Sequence, residues 1–302
     1  MSKKILVTGA SGFLGWHFCH EFQDYYQIIG THFRNLPTDL PQVDWQRINL
    51  LEIPALKKLV KELQPDTVLH LAAISKMGFC EEHPALSHHI NVYTSIALAE
   101  VTQELGIPMI FTSTDMVFNG ASAPYAEDDF SYPISQYGTQ KQMAEDSLLA
   151  DFDHTMVVRL PLLFGAVPSY GSNFMVQTIQ QLQAGESVSA FVDEYRTPLS
   201  GKVASQVLGK LIDYILATTP QHERLIHLGS QKSISRYDLA HLIARTYGLP
   251  TETIVATKQQ DIDIAGIRPK DVSLTHTMAQ KILGFDPPTL VEQLQAYKST
   301  IL

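Results

Sequence analysis

Tyr137 and Lys141 stand four residues apart, a spacing that puts a phenol and an ammonium on one face of a helix. A free phenol has a pKa of about 10, and a neighbouring cation stabilises the phenolate and lowers that value, so the pair can exchange a proton near neutral pH. Thr114, at the end of the apolar run Met109 to Ser113, adds a hydroxyl able to hydrogen-bond the oxygen that takes the proton. Tyr-x-x-x-Lys arises often by chance on exposed helices. Its weight comes from the strand end Thr112-Ser113-Thr114 ahead of it and from a second cluster near the N-terminus.

That cluster is Thr8-Gly9-Ala10-Ser11-Gly12-Phe13-Leu14-Gly15. It follows a branched apolar run, Lys3 to Val7, that reads as a buried strand, and it opens a helical pattern from Gly12 to Phe22. Gly9 permits a tight exit from the strand, Gly12 lets backbone approach a pyrophosphate, and Gly15 lets the helix pack closely on the sheet. The unsatisfied N–H groups of the helix start then face an anion, with Ser11, Phe13 and Leu14 beside it. The glycines fall at i, i+3 and i+6, one residue off G-x-G-x-x-G. Phosphate binding followed by proton transfer points to a redox enzyme.

The elements that must position these residues alternate. Gln27 to Thr31, Trp45 to Ile48, Thr67 to Ala72, Met109 to Ser113 and Met156 to Leu160 read as strands; Pro54 to Leu63, Pro84 to Leu105 and Tyr137 to Leu149 read as helices. This predicts an α/β fold, a doubly wound parallel sheet of Rossmann type over residues 1–165. After Gly165 the alternation loosens, with helices at Val203 to Ala217 and Tyr237 to Tyr247 around a strand at Leu225 to Leu228. Residues 166–302 are expected to form a smaller substrate lobe, free to interleave with the first. Leu208, Leu211, Ile212 and Ile215 are spaced as a buried helix face.

A chain of 302 residues with a formal charge of -9 argues against nucleic acid or an anionic membrane as the main partner. No signal peptide or membrane span precedes the first strand, so the cytoplasm is the expected location. Cys19 and Cys80 are the only cysteines, which suggests no disulfide framework. The twelve histidines, among them His17, His20, His83, His88 and His89, lack a completing carboxylate or cysteine set, so no metal is expected.

The segment after the second strand, Gly30-Thr31-His32-Phe33-Arg34-Asn35, has no carboxylate before Asp39 to meet the adenosine ribose hydroxyls. Arg34, with His32 and Phe33 beside it, could instead meet a 2′-phosphate. NADP(H) is favoured and NAD(H) stays open. Asn49 and Leu50 after the third strand, and Leu71, Ala72 and Ala73 after the fourth, fall where adenine and the nicotinamide-side phosphate would be enclosed. Ser113, Pro161 and Leu162 complete the expected cofactor contacts, together with Tyr137 and Lys141.

The glycine spacing resembles the short-chain dehydrogenase/reductase superfamily. Ser113-Thr114-Asp115-Met116-Val117-Phe118-Asn119-Gly120, Tyr125-Ala126-Glu127-Asp128 and Tyr137-Gly138-Thr139-Gln140-Lys141 are similar to its extended members that act on nucleotide sugars, above all the dTDP-4-dehydrorhamnose reductases. Arg196-Thr197-Pro198, the run Arg268 to Leu274 and Leu283-Gly284-Phe285 also fit. The resemblance covers nearly the whole chain. It implies reduction of a nucleotide-linked 4-ketosugar, with Tyr137 as acid, Lys141 as its tuner and holder of the nicotinamide ribose, and Thr114 and Asp115 at the sugar. Arg268, then Arg196, would meet the substrate pyrophosphate or else form ion pairs between lobes; Asn173 and Phe174 are weaker substrate candidates. A homodimer is compatible with the family.

Related dehydratases carry Thr-Asp-Glu where this chain has Met116, which removes an acid/base group needed for elimination. Epimerases hold NAD tightly, typically with an acidic residue after the second strand, and remain an alternative. So does a non-catalytic role: Phe33-Arg34, Asn49-Leu50-Leu51 and Arg159-Leu160-Pro161-Leu162-Leu163 also resemble the regulatory β subunit of methionine adenosyltransferase, which acts through a partner.

Overall fold

The computed structural model describes residues 2–218, 223–262 and 268–301. The alternation begins with β1 (Lys4–Thr8), α1 (Phe13–Phe22), β2 (Gln27–His32), β3 (Asp44–Arg47), α2 (Ile53–Leu63) and β4 (Thr67–His70). Next come α3 (Met77–Glu82), α4 (Pro84–His88), a π-helical turn at His89–Tyr93, α5 (Thr94–Leu105), β5 (Met109–Thr114), a 3₁₀ turn at Asp115–Val117, α6 (Gln136–Asp151) and β6 (Thr155–Leu160). Beyond these lie β7 (Leu163–Phe164), α7 (Phe174–Gln183), β8 (Val188–Phe191), β9 (Tyr195–Arg196), β10 (Leu199–Ser200), α8 (Gly201–Ala217) and β11 (Leu225–His227). The chain continues through β12 (Ile234–Ser235), α9 (Arg236–Tyr247), β13 (Ile254–Thr257), α10 (Thr277–Leu283), α11 (Leu290–Gln295) and α12 (Lys298–Ile301).

Seven strands form one parallel sheet in the order β11-β6-β5-β4-β1-β2-β3, the doubly wound Rossmann-like arrangement that the sequence predicts. Alternate side chains of each strand feed opposite faces, which is why the strands read as continuous apolar runs. Ile5 and Val7 pack with Phe18 of α1 and with Leu208, Leu211 and Ile212 of α8 on one face. Leu6 packs with Leu56, Val60, Leu98 and Leu148 on the other. Both α8 and β11 come from beyond residue 165, so the later half of the chain supplies one covering helix and one edge of the sheet. A separate cluster, built on Met175, Ile179, Leu239 and Ile243, is the core of the region around α7 and α9.

Three departures from the sequence reading matter for the site. The expected helix from Pro84 to Leu105 is interrupted by the wide turn at His89–Tyr93, which presents Asn91 to the loop after β4. The Asn91 amide accepts from Ile74 N at 2.8 Å and donates to Ile74 O at 3.0 Å, and so fixes that loop. The strand expected to reach Ala72 ends at His70, freeing Leu71 and Ala73 to line a cavity. Helix α3 was not foreseen. Cys19 and Cys80 are buried free thiols, and no described helix is long and apolar enough to cross a membrane.

Candidate active site

Strand order reverses between β1 and β4, and the glycine loop leaves β1 at that point. Gly9 has φ +72°, and a Cβ there would come within 2.7 Å of the Ala72 backbone, so Ala72 backs the loop. At Gly15 a Cβ would stand 2.3 Å from the Gly9 carbonyl oxygen and 2.5 Å from Ala10 Cα. Gly15 is therefore required by contact between α1 and the loop itself, where the sequence reading had placed the contact on the sheet. Gly12 caps α1 with extended backbone and no side-chain hydrogen bond, which leaves the helix start to an outside acceptor.

Ser135 caps α6 by accepting from Gly138 N at 3.1 Å, and this sets Tyr137 in the first turn. A Cβ on Gly138 would lie 2.2 Å from the Met116 carbonyl oxygen, so this glycine, which the sequence reading passed over, lets α6 press against the turn that follows Thr114. Tyr137, Lys141 and Thr114 thus line one cavity of about 440 Å³, together with Gly9, Gly12 and Ser113. The Ser113 hydroxyl is buried with no hydrogen-bond partner among the described residues.

The electrostatics correct the simple tuning argument. Burial raises the Tyr137 pKa, Asp115 raises it further, and the Thr114 hydroxyl beside it pulls the other way. Burial also draws Lys141 down to about 7, opposed by Glu145 one turn on. The Lys141 ammonium lies 3.8 Å from the centroid of the Phe111 ring. Both side chains line the cavity, and burial, rather than the charge of one acting on the other, is the main cause of each shift. Thr114, expected to offer its proton to a substrate oxygen, donates to Asp115 Oδ1 at 3.1 Å and accepts from Met116 N at 3.2 Å. Asp115 is buried and lifted to about 6 by that burial, with Arg196 opposing.

The remaining expected residues divide. Leu71, Ala73, Pro161 and Leu162 line the same cavity. Phe33, Arg34, Asn49 and Leu50 line a second cavity of about 560 Å³, and Ala73 and Ser75 line both, so the two are contiguous. Arg34 is exposed, its guanidinium 6.0 Å from the Phe33 ring centroid. His32 lines neither cavity; it stands edge-on to Trp45, and Arg47 is its register neighbour on β3. Ser11 is not among the residues lining the first cavity, and its carbonyl accepts from the Tyr170 hydroxyl at 3.0 Å. Asn173, expected at the substrate, is outside the cavity: its amide caps α7 through Val176 N and donates to the Gly165 carbonyl.

Arg268 and Arg196 both reach the first cavity. Arg196 is buried and donates to the carbonyls of Tyr195 and Pro269, with Asp115 Oδ2 3.6 Å away, so much of its hydrogen bonding goes to holding the 269–271 segment. Sequence reasoning missed Glu194 and Arg236, which complete this wall. A buried acid two residues before Arg196 was the only local signal for the first; nothing local marks the second.

The family described as the RmlD substrate binding domain matches residues 3–301. The chain belongs to that family. It is 28% identical over 276 residues to methionine adenosyltransferase 2 subunit beta of Rattus norvegicus, covering 90% of this chain and 80% of the relative. It is 27% identical over 299 residues to a probable low-salt glycan biosynthesis reductase of Haloferax volcanii, covering 97% and 96%. The structure of dTDP-4-dehydrorhamnose reductase from Bacillus anthracis in complex with NADP superposes with a TM-score of 0.86 at 24% identity, covering 99% of this chain and all of that one. The RmlD-family chain thus carries the fold of the nicotinamide-dependent oxidoreductases of the extended short-chain dehydrogenase/reductase superfamily.

A dinucleotide fits what the two cavities present. Gly9, Gly12 and Gly15 line the first cavity without side chains, the α1 start offers N–H groups, the Ser113 hydroxyl has no partner among the described residues, and the second cavity is lined largely by apolar side chains next to an exposed arginine.

Proposed function

We propose that this protein is an NADPH-dependent reductase of a nucleotide-linked 4-ketosugar. The observation that carries the reading is a single cavity that joins the glycine loop, the Thr114, Tyr137 and Lys141 side chains, and the arginines at positions 196, 236 and 268. NADP(H) is favoured by Arg34 at the open edge of the second cavity, where a 2′-phosphate would find a guanidinium. A bound dihydronicotinamide supplies hydride to the carbonyl carbon. The chain supplies the proton and the charge stabilisation. A phenol whose pKa is held up by burial is fully protonated at neutral pH, so Tyr137 is poised as a donor to the carbonyl oxygen. Lys141, on the same helix face, stabilises the phenolate left behind, and Thr114 turns its hydroxyl from Asp115 to the same oxygen.

The 28% identity to methionine adenosyltransferase 2 subunit beta supports a second reading, a dinucleotide-binding regulatory subunit. Loss of reduced-nicotinamide absorbance with a dTDP-4-keto-6-deoxysugar, wild type beside Tyr137→Phe, separates the two. The reductase reading expects NADPH binding to persist in the variant while kcat falls on the order of 10²-fold to 10⁴-fold. Equal turnover in the two proteins would overturn the assigned mechanism; no turnover in the wild type with tight NADPH binding would favour the regulatory role.

A further inference from the structure

We infer that Arg236 is an anion-binding residue for the substrate's diphosphate and that Glu194 is a built-in counter-charge that holds down the affinity of that site. The inference rests on the reading of a nucleotide-linked substrate.

Arg236 opens α9, with its guanidinium carbon 3.7 Å from the centroid of the Phe174 ring. Stacking of this kind fixes the guanidinium plane while leaving its edge donors free. Nε is 3.7 Å from Glu194 Oε1, and Nη1 is buried with no hydrogen-bond partner among the described residues. Arg268, on a different segment, places Nη1 3.7 Å from Glu194 Oε2 and leaves its Nε similarly unpartnered. Arg196 Nη2 lies 3.6 Å from Glu194 Oε1. These separations exceed hydrogen-bond length, so the Glu194 carboxylate balances charge without occupying the donors. Glu194 is only 3% exposed and its Oε2 has no hydrogen-bond partner among the described residues.

A buried guanidinium donor left unpaired is costly; Arg236 and Arg268, on separate elements, each carry one and both residues line one cavity, where a ligand with several anionic oxygens would satisfy them together. Three guanidiniums against the carboxylates of Glu194 and Asp115 leave this wall net positive. A diphosphate, with two linked phosphoryl groups, has the reach and the charge to engage both Arg236 and Arg268. It also competes with Glu194 for the same cations, so the resident carboxylate weakens binding.

The test titrates inorganic pyrophosphate and inorganic phosphate calorimetrically into the full chain saturated with NADP⁺. These probes read the arginine wall without depending on a base or sugar. Arg236→Gln should weaken pyrophosphate by about ten-fold or more, and by a larger factor than it weakens phosphate. Glu194→Gln should tighten pyrophosphate by about ten-fold, because a negative charge within a few ångströms of the ligand is removed. Phe174→Leu keeps every charge and should still weaken pyrophosphate several-fold by releasing the guanidinium plane. Wild-type affinity in Arg236→Gln, or weakening by Glu194→Gln, would overturn the inference; if Glu194→Gln does not fold, unchanged affinity in Phe174→Leu would overturn the placement of Arg236. Pyrophosphate binding that behaves as expected in a chain that reduces no ketosugar would remove the reductase reading alone.

Discussion

Lys141→Met should make the protein more stable while abolishing reduction. The Lys141 side chain is almost fully buried, and burial lowers its pKa from 10.5 to about 7. Below about pH 7 the ammonium is charged in the native and unfolded states alike, and the native state bears the whole penalty of burying it. Between 7 and 10.5 the native lysine is neutral while the unfolded one binds a proton, so stability climbs with pH and the penalty disappears above 10.5. At about 1.4 kcal/mol per pH unit, the interval of about 3.5 bounds the penalty at roughly 5 kcal/mol. The Phe111 ring beneath the ammonium returns part of this, about 1–2 kcal/mol, so a net gain of about 3–4 kcal/mol is expected for methionine near pH 6.

Urea unfolding of both proteins at about pH 6 and about pH 9 reads the effect. The advantage of methionine should shrink by about 3 kcal/mol across that range. Other groups cancel in the comparison: His70, held at about 3 by burial and by Lys141, stays neutral throughout, and Asp115, at about 6, is common to both proteins. A stability difference that is the same at both pH values, or a methionine variant less stable at both, would refute the account of Lys141 as a destabilising residue kept for its chemistry.

Arg34→Ala should weaken NADPH on the order of ten-fold or more and NADH little, as read by fluorescence titration; equal losses would remove the 2′-phosphate argument. Glu145→Gln should cost about 3–5 kcal/mol in urea unfolding, because it breaks a buried pair at 2.7 Å and leaves the Arg159 guanidinium without its charge partner between α6 and β6. A loss below about 1 kcal/mol would mean that His227 and Ser131, its other neighbours, suffice.

The sheet was legible because its strands are buried on both faces and their apolar runs end at glycine, proline or polar residues; the helices α1, α2, α6, α8 and α9 were legible through periodicity and end signals. The wide turn inside the Pro84–Leu105 stretch was not, since one extra residue per turn leaves every residue in helical backbone and alters only the hydrogen-bond register. Helix α3, six residues with a glycine in its first turn, is too short to show a period. His32 was placed by its position after the second strand and Asn173 by the family resemblance. In the structure, packing on Trp45 and the need to cap α7 claim those side chains instead.

The chemistry of the site was legible wherever it is local in sequence. Four residues of helix bring Tyr137 to Lys141, and three glycines shape one loop. What each group does with its proton is set by elements far along the chain. Phe111 of β5 lies under the lysine, and the 3₁₀ turn places Asp115 close enough to the phenol to oppose its ionisation. The charge on this cavity wall is likewise a sum over β9, α9 and the segment at Arg268, where Glu194 meets Arg196, Arg236 and Arg268. No window of sequence contains that sum, because it exists only once the later half of the chain has folded over the strand ends. A motif therefore identifies the reacting atoms, while the field that sets their pKa and selects their ligand belongs to the tertiary structure, and substitutions at Glu194 or Arg236 should change affinity without touching any residue of the motif.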